Sequence, residues 1–224
     1  MKKTILSQEE MSSIAAAVKK AESSTSGEIS TALIQESSDY AFYELRASVF
    51  FGVLVYMIQL LFFDSISSMA SSLSWNAPFW YVPVFMGGLS FVSGGLFYFF
   101  SNIPAVDRII IPRTVMNKCV RARALQHFTE SDVYSTKDGT GILIFISLME
   151  RRVELIADKG IHSKISGNEW QDIVRDLSES LSKRDLSNGL QNAVLRCGDI
   201  LKAQFPVSEN DVNELSDGIV ILEE

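Results

Sequence analysis

The sequence has two cysteines and two histidines in 224 residues, and it is short of cations, with 20 Lys and Arg against 27 Asp and Glu. Each shortage removes a class of protein. Cys119 and Cys197 fall in stretches of helical periodicity with no CxxC spacing. This excludes a disulfide framework and reads as two small buried thiols in a reducing compartment. His127 and His162 have no Cys or acid at ligand spacing, so each is read as an ordinary helix or loop residue. A net charge of −7 argues against a nucleic-acid partner, because phosphate contacts need clustered Lys and Arg. Lys2 and Lys3 are not followed by an apolar h-region, so no signal peptide is expected. Gly139-x-Gly141 has Ile144 where a dinucleotide fingerprint needs its third glycine, and no Walker loop, GxSxG elbow or HExxH occurs. No activated nucleophile can be assembled from what is visible.

Long apolar runs, by contrast, are present. The mean hydropathy of +0.16 is high for a wholly soluble chain, and the excess is local. Residues 47–63 (17 residues) and 79–100 (22 residues) carry no charge. Each is long enough to cross a hydrocarbon core of about 30 Å as a helix. Neither run shows a polar face, which sets them apart from the core helices of a soluble domain. Arg46 precedes the first run, and Arg108, Arg113, Lys118, Arg121 and Arg123 follow the second, while the Ser-rich segment 64–78 between them has no Lys or Arg. The positive-inside rule therefore places both termini and the folded domain on the cytoplasmic side of a cytoplasmic (inner) membrane of bacterial type, with a short loop outside. Ser48 with Gly52 and Ser90 with Gly94 put small residues four apart in each run and predict a close contact between the two helices.

The remaining chain reads as a small α/β domain. Ser7 and Glu10 form a capping box opening a helix over 7–22, with Met11, Ile14, Ala15 and Val18 on one face. Glu28–Ile34 reads as a strand. Arg113 to about Glu130 is a helix with Met116, Val120, Ala124 and Phe128 in line and a basic side available to anionic lipid headgroups. Ile142–Ile146 is an unbroken, mostly β-branched run, the pattern of a strand buried on both faces. After a short connection Val153, Leu155 and Ala157 alternate with charged residues, so a β-hairpin with one solvated face is expected. Ser166 and Glu169 repeat the capping box before an amphipathic helix through Leu181, and Ser187 begins a last helix. The domain thus comprises residues 1–40 and 105–206, a small mixed sheet sandwiched by helices and interrupted by a two-helix transmembrane hairpin (47–100). An acidic tail, 207–224, is expected to be loosely held, with Ile219–Leu222 able to dock.

At Leu6-Ser7-x-Glu9-Glu10, Thr25-x-Gly27-Glu28-Ile29, Asp138-Gly139-Thr140-Gly141-Ile142-Leu143-Ile144 and Glu150 through Ile161 the chain resembles the TPM domain family, the thylakoid-lumen, photosystem-repair and receptor-modulator group. Asn213-Glu214-Leu215-x-Asp217 is similar to the end of its membrane-inserted members. The resemblance implies a Rossmann-like α/β sandwich. It also implies one of three roles, since members include acid phosphatases, calcium binders and accessory factors of membrane complexes.

The acids at the loop ends of the hairpin are the candidate constellation. Asp138 precedes the central strand and Asp158 ends its antiparallel partner, so the two carboxylates can converge at one sheet edge. With carbonyls from the Gly139 and Gly160 turns they would suit Ca2+ or Mg2+. The competing reading makes Asp138 a turn former and Asp158 a strand terminus or helix cap. Glu28, Glu150 and Glu154 read as surface charges paired with Arg151 and Arg152. Two functions follow. One is a membrane-anchored, non-enzymatic accessory module whose partners are the lipid bilayer and a membrane protein complex. The other is a metal-dependent phosphatase using Asp138 and Asp158.

Overall fold

The computed structural model describes residues 6–73, 78, 80–101, 103–136, 139–165, 167–207 and 213–223. The chain divides into two compact units, Met1–Ser38 with Thr114–Glu224, and Asp39–Arg113.

The first unit is built on a four-stranded sheet of order β3-β2-β1-β4. The strands are β1 (Glu28–Ile34), β2 (Gly141–Ser147), β3 (Arg152–Ala157) and β4 (Ile219–Leu222). β1 runs parallel to β2 and β4, and β2 pairs antiparallel with β3. β1 and β2 are buried at every residue because helices cover both faces; β2 is an unbroken apolar run apart from its ends, whereas β1 buries Glu28, Ser30 and Thr31 as well. One face is covered by α1 (Gln8–Glu22), α8 (Gly167–Ser182) and α9 (Leu186–Gln204), around Ile29, Leu33, Ile142, Ile144 and Ile146. On the other face α6 (Arg113–Glu130) lays Val120, Ala124 and Phe128 over Ala32, Ile34, Leu143 and Phe145.

Local chemistry accounts for the helix ends. Ser7 Oγ accepts the Glu10 N–H at 3.2 Å and Glu10 Oε2 accepts the Ser7 N–H at 2.7 Å, closing the capping box and leaving Ile14, Val18 and Ala21 to face the core. α1 and α9 approach so closely that a Cβ on Gly198 would lie 2.7 Å from that of Ala21. α8 starts at Gly167; the Ser166 capping box lies outside the described residues, and the flanking Ile165 and Trp170 are both buried.

One expectation is narrowed here and another is met. The solvated face of β3 is limited to the half-buried Arg152 and Glu154, because Ile156 on that face is buried beneath α6, while Val153 and Ala157 face the opposite layer. Within the tail, the segment expected to be able to dock does so. Ile219–Leu222 extends the sheet as β4, pairing with Thr31–Ile34, because an otherwise bare edge of β1 would leave its backbone groups unpaired.

The second unit is helical: α2 (Ala41–Leu61), α3 (Phe63–Leu73), α4 (Tyr81–Ser101) and α5 (Pro104–Ile110). α2 and α4 are long and apolar enough to cross a membrane, and only 11% and 17% of their most apolar windows are buried. They pack antiparallel through the predicted small residues. A Cβ on Gly52 would come within 3.2 Å of the Ser90 carbonyl oxygen, and one on Gly94 within 3.1 Å of that of Ser48. Phe51 stacks on Phe97 with ring centroids 4.7 Å apart. Inside this contact Gln59 Nε2 donates to Ser90 Oγ at 3.2 Å, so the lone amide of the first run is spent on its neighbour helix. The segment read as a Ser-rich loop is instead largely α3; Ile66 and Met69 are spaced for one helix face, and serine content masked that periodicity.

Candidate functional site

The hairpin register brings the predicted turns together. Ile142 lies opposite Ala157, and the Asp158 N–H donates to the Gly141 carbonyl at 2.9 Å, so the end of β3 sits beside the start of β2. Gly139 adopts φ +63°, the left-handed conformation glycine takes at least cost. A Cβ there would lie 3.6 Å from Asp158 Oδ2 and 3.7 Å from the Gly160 nitrogen. The Gly139 and Gly160 turns and Asp158 therefore share one edge of the sheet. Asp138 lies outside the described residues.

Asp158 is the N-cap of α7 (Lys159–His162), and its Oδ1 accepts the Lys159 N–H at 2.6 Å. The loop beside it is internally bonded: the Thr140 N–H donates to Thr136 Oγ1 at 3.0 Å and Thr140 Oγ1 to the Ser26 carbonyl at 3.0 Å. Among the described residues no three His, Cys, Asp or Glu side chains gather as a metal would require. Glu28 opens β1 opposite Gly141, at this same edge. It is buried, and its Oε1 accepts the Glu214 N–H at 3.2 Å, which anchors the tail leading into β4.

Three other polar clusters were not legible in the sequence. At the opposite sheet edge Glu150 is buried, not a surface charge. Its Oε2 accepts the Ser147 hydroxyl, its Oε1 accepts the Ser37 N–H at 2.9 Å, and Ser37 Oγ donates to Ser147 Oγ at 2.9 Å. This network ties the end of β2 to the segment leaving β1. Glu154 does pair as a surface residue, with Arg152 at 3.3 Å and also with Arg121 of α6 at 3.1 Å. His127 is buried against Phe145 with Nε2 unpartnered among the described residues, and burial and the Arg123 charge hold it below the usual imidazole range. Cys197 is fully buried, which pushes its thiol up to about 12 and leaves it inert.

The third cluster is in the helical unit, where Asp107 of α5 and Glu44 of α2 are neighbouring buried carboxyls, with Asp107 Oδ1 lacking a hydrogen-bond partner among the described residues. Burial and the adjacent Glu44 carboxylate push Asp107 up to about 6, against the pull of Arg108. A folded pKa above the unfolded value of 3.8 stabilises the fold fully below that value, and the contribution is lost as pH rises through about 6. The detergent-solubilised chain is therefore expected to melt a few degrees lower at pH 7.5 than at pH 5. Asp107→Asn should flatten this dependence. An unchanged pH profile in Asp107→Asn would show that other groups set it.

The fold defines a class: a mixed α/β domain carrying an inserted helical hairpin. Residues 108–200 match the family model described as the TPM domain, in keeping with the resemblance read from the sequence. A solved structure similar to this chain is the NMR structure of BA42 protein from the psychrophilic bacterium Bizionia argentinensis. It is 18% identical, with 99% of each chain covered and a TM-score of 0.59, a likeness in fold alone. No curated protein matches the sequence.

Proposed function

We propose that this chain is a membrane-anchored TPM module acting without catalysis, as an accessory or regulatory factor for a membrane protein complex. The observation that carries the reading is the exposure of α2 and α4: two helices of 21 residues each, apolar nearly all round and mostly unburied. Such surface is stable in lipid and aggregates in water. The acids described at both sheet edges cap a helix, anchor the tail or brace a strand, which leaves them no evident catalytic task. The charge distribution supports a cytoplasmic domain.

The test uses the full chain. It should stay in the membrane fraction through alkaline carbonate extraction, and a fluorescent protein fused after Glu224 should fluoresce, as it does when folded in the cytoplasm. The purified protein should not turn over p-nitrophenyl phosphate with Ca2+ or Mg2+. Divalent-dependent turnover abolished by Asp158→Asn, with an unchanged melting curve, would replace this reading with the phosphatase one.

A further inference from the structure

We propose that the exposed face of α6 is a docking surface for anionic lipid headgroups, laying the domain on the membrane that holds its hairpin; this rests on reading α2 and α4 as membrane spans. α6 buries Met116, Val120, Ala124 and Phe128 against the sheet, so its other side is free. Lys118 and Arg121 are exposed there, beside a Leu125 that is 42% exposed, and Arg113 is exposed as the first residue of the helix. Arg113 and Lys118 have no ion pair among the described residues, and Arg121, although bonded to Glu154, keeps 60% of its side chain exposed. Cations with an exposed leucine among them match the headgroup boundary of a bilayer.

Charge is divided across the sheet in the sense this docking needs. α6 holds Arg113, Lys118, Arg121 and Arg123 against Glu130, a net +3 with His127 neutral. On the far face α8 holds Glu169, Asp172, Asp176 and Glu179 against Arg175, a net −3. An anionic surface would attract one layer and repel the other, so the domain would settle in one orientation.

The tether selects lipid over a soluble acidic protein. Eleven residues, 102–112, separate the end of α4 from α6, and seven of them are wound into α5. The cations are thereby held near the bilayer whatever else is present, at high effective concentration. Each Lys or Arg close to an anionic surface strengthens binding about five-fold.

The full chain would be placed in nanodiscs of phosphatidylcholine alone or with phosphatidylglycerol. Cys197 is sealed, so in a Cys119→Ser background a dansyl label on Ala122→Cys reports from the exposed face of α6. A label on Ser182→Cys reports from α8. Quenching by headgroup-level nitroxide lipid is expected to be at least about two-fold stronger in the anionic discs for the Ala122 label only. It should fall away in 0.5 M KCl, where the screening length shrinks to a few ångströms, and in Lys118→Glu. Equal quenching in both lipids, or equal quenching at Ser182, would overturn the docking while leaving the spans intact. Failure of the chain to enter either disc would overturn the spanning reading and the docking with it.

Discussion

Gly141→Ala is expected to abolish the cooperative unfolding transition of the α/β domain at 37 °C. A Cβ at this position would lie 2.1 Å from the Val133 carbonyl oxygen and 2.9 Å from its Cγ1. Val133 is fully buried and opens the 3-10 turn Val133–Ser135, so the obstacle is backbone and not the movable end of a side chain. Relief requires shifting that turn, and with it Thr136, whose hydroxyl accepts the Thr140 N–H. The alternative is to displace the first residue of β2, which is paired with both Glu28 and the chain around Ala157. Overpacking against mobile side chains costs about 1–3 kcal/mol, and a rigid backbone clash belongs to the tail above about 4 kcal/mol. Domains of this size hold only about 5–15 kcal/mol in total. Thermal melts by circular dichroism would check it. Gly167→Ala, where a Cβ meets nothing within 4 Å, should change stability by less than about 0.5 kcal/mol. A Gly141→Ala protein that melts like Gly167→Ala would refute the steric argument.

Glu150→Gln should lower stability by about 2–3 kcal/mol, the cost of leaving buried polar groups mismatched. Both carboxylate oxygens accept in the native fold, one from the Ser147 hydroxyl and one from the Ser37 N–H. A carboxamide offers one acceptor and two donors, so while its oxygen keeps the Ser37 N–H, the Ser147 and Ser37 hydroxyls must reverse their bonds and both charge-assisted contacts are lost. The damage should be local before it is global. The exit from β1 is held by the Leu148 N–H to Ile34 and Met149 N–H to Gln35 backbone bonds as well as by Glu150. Hydrogen exchange at the Ser37 amide should accelerate by at least about ten-fold, with β1 itself less affected. In a double-mutant cycle Glu150→Gln and Ser147→Ala should be strongly non-additive, since they share one network. Additive effects, or a Ser37 amide that exchanges as before, would remove the brace from this account.

How far sequence reading reached depended on the range of the interaction involved. The α1 capping box was legible because Ser7 and Glu10 are three residues apart and satisfy each other within one turn. The double burial of β2 was legible in Ile142–Ile146, since a strand without a polar alternation has no face to give water. The contact of α2 with α4 was legible in Ser48, Gly52, Ser90 and Gly94, because small residues four apart mark where helix backbones can meet. α3 was missed because serines obscured its apolar spacing. The environments of Glu28 and Glu150 were misread because their partners, Glu214 and Ser37, lie 186 and 113 residues away. Asp107 was overlooked for the same reason; Glu44 comes to it across a helix pair.

The sequence by itself determined the elements of this protein: caps, periodicities, uncharged runs and the sign of each segment's charge. All of these act within a few residues or within one helix. Only the tertiary structure decided that β4 pairs along the edge of β1, that Ile156 of β3 lies beneath α6, and that two glutamates are interior braces. Burial is a property of the assembled layers, and a carboxylate's role follows from which distant N–H or hydroxyl the fold presents to it.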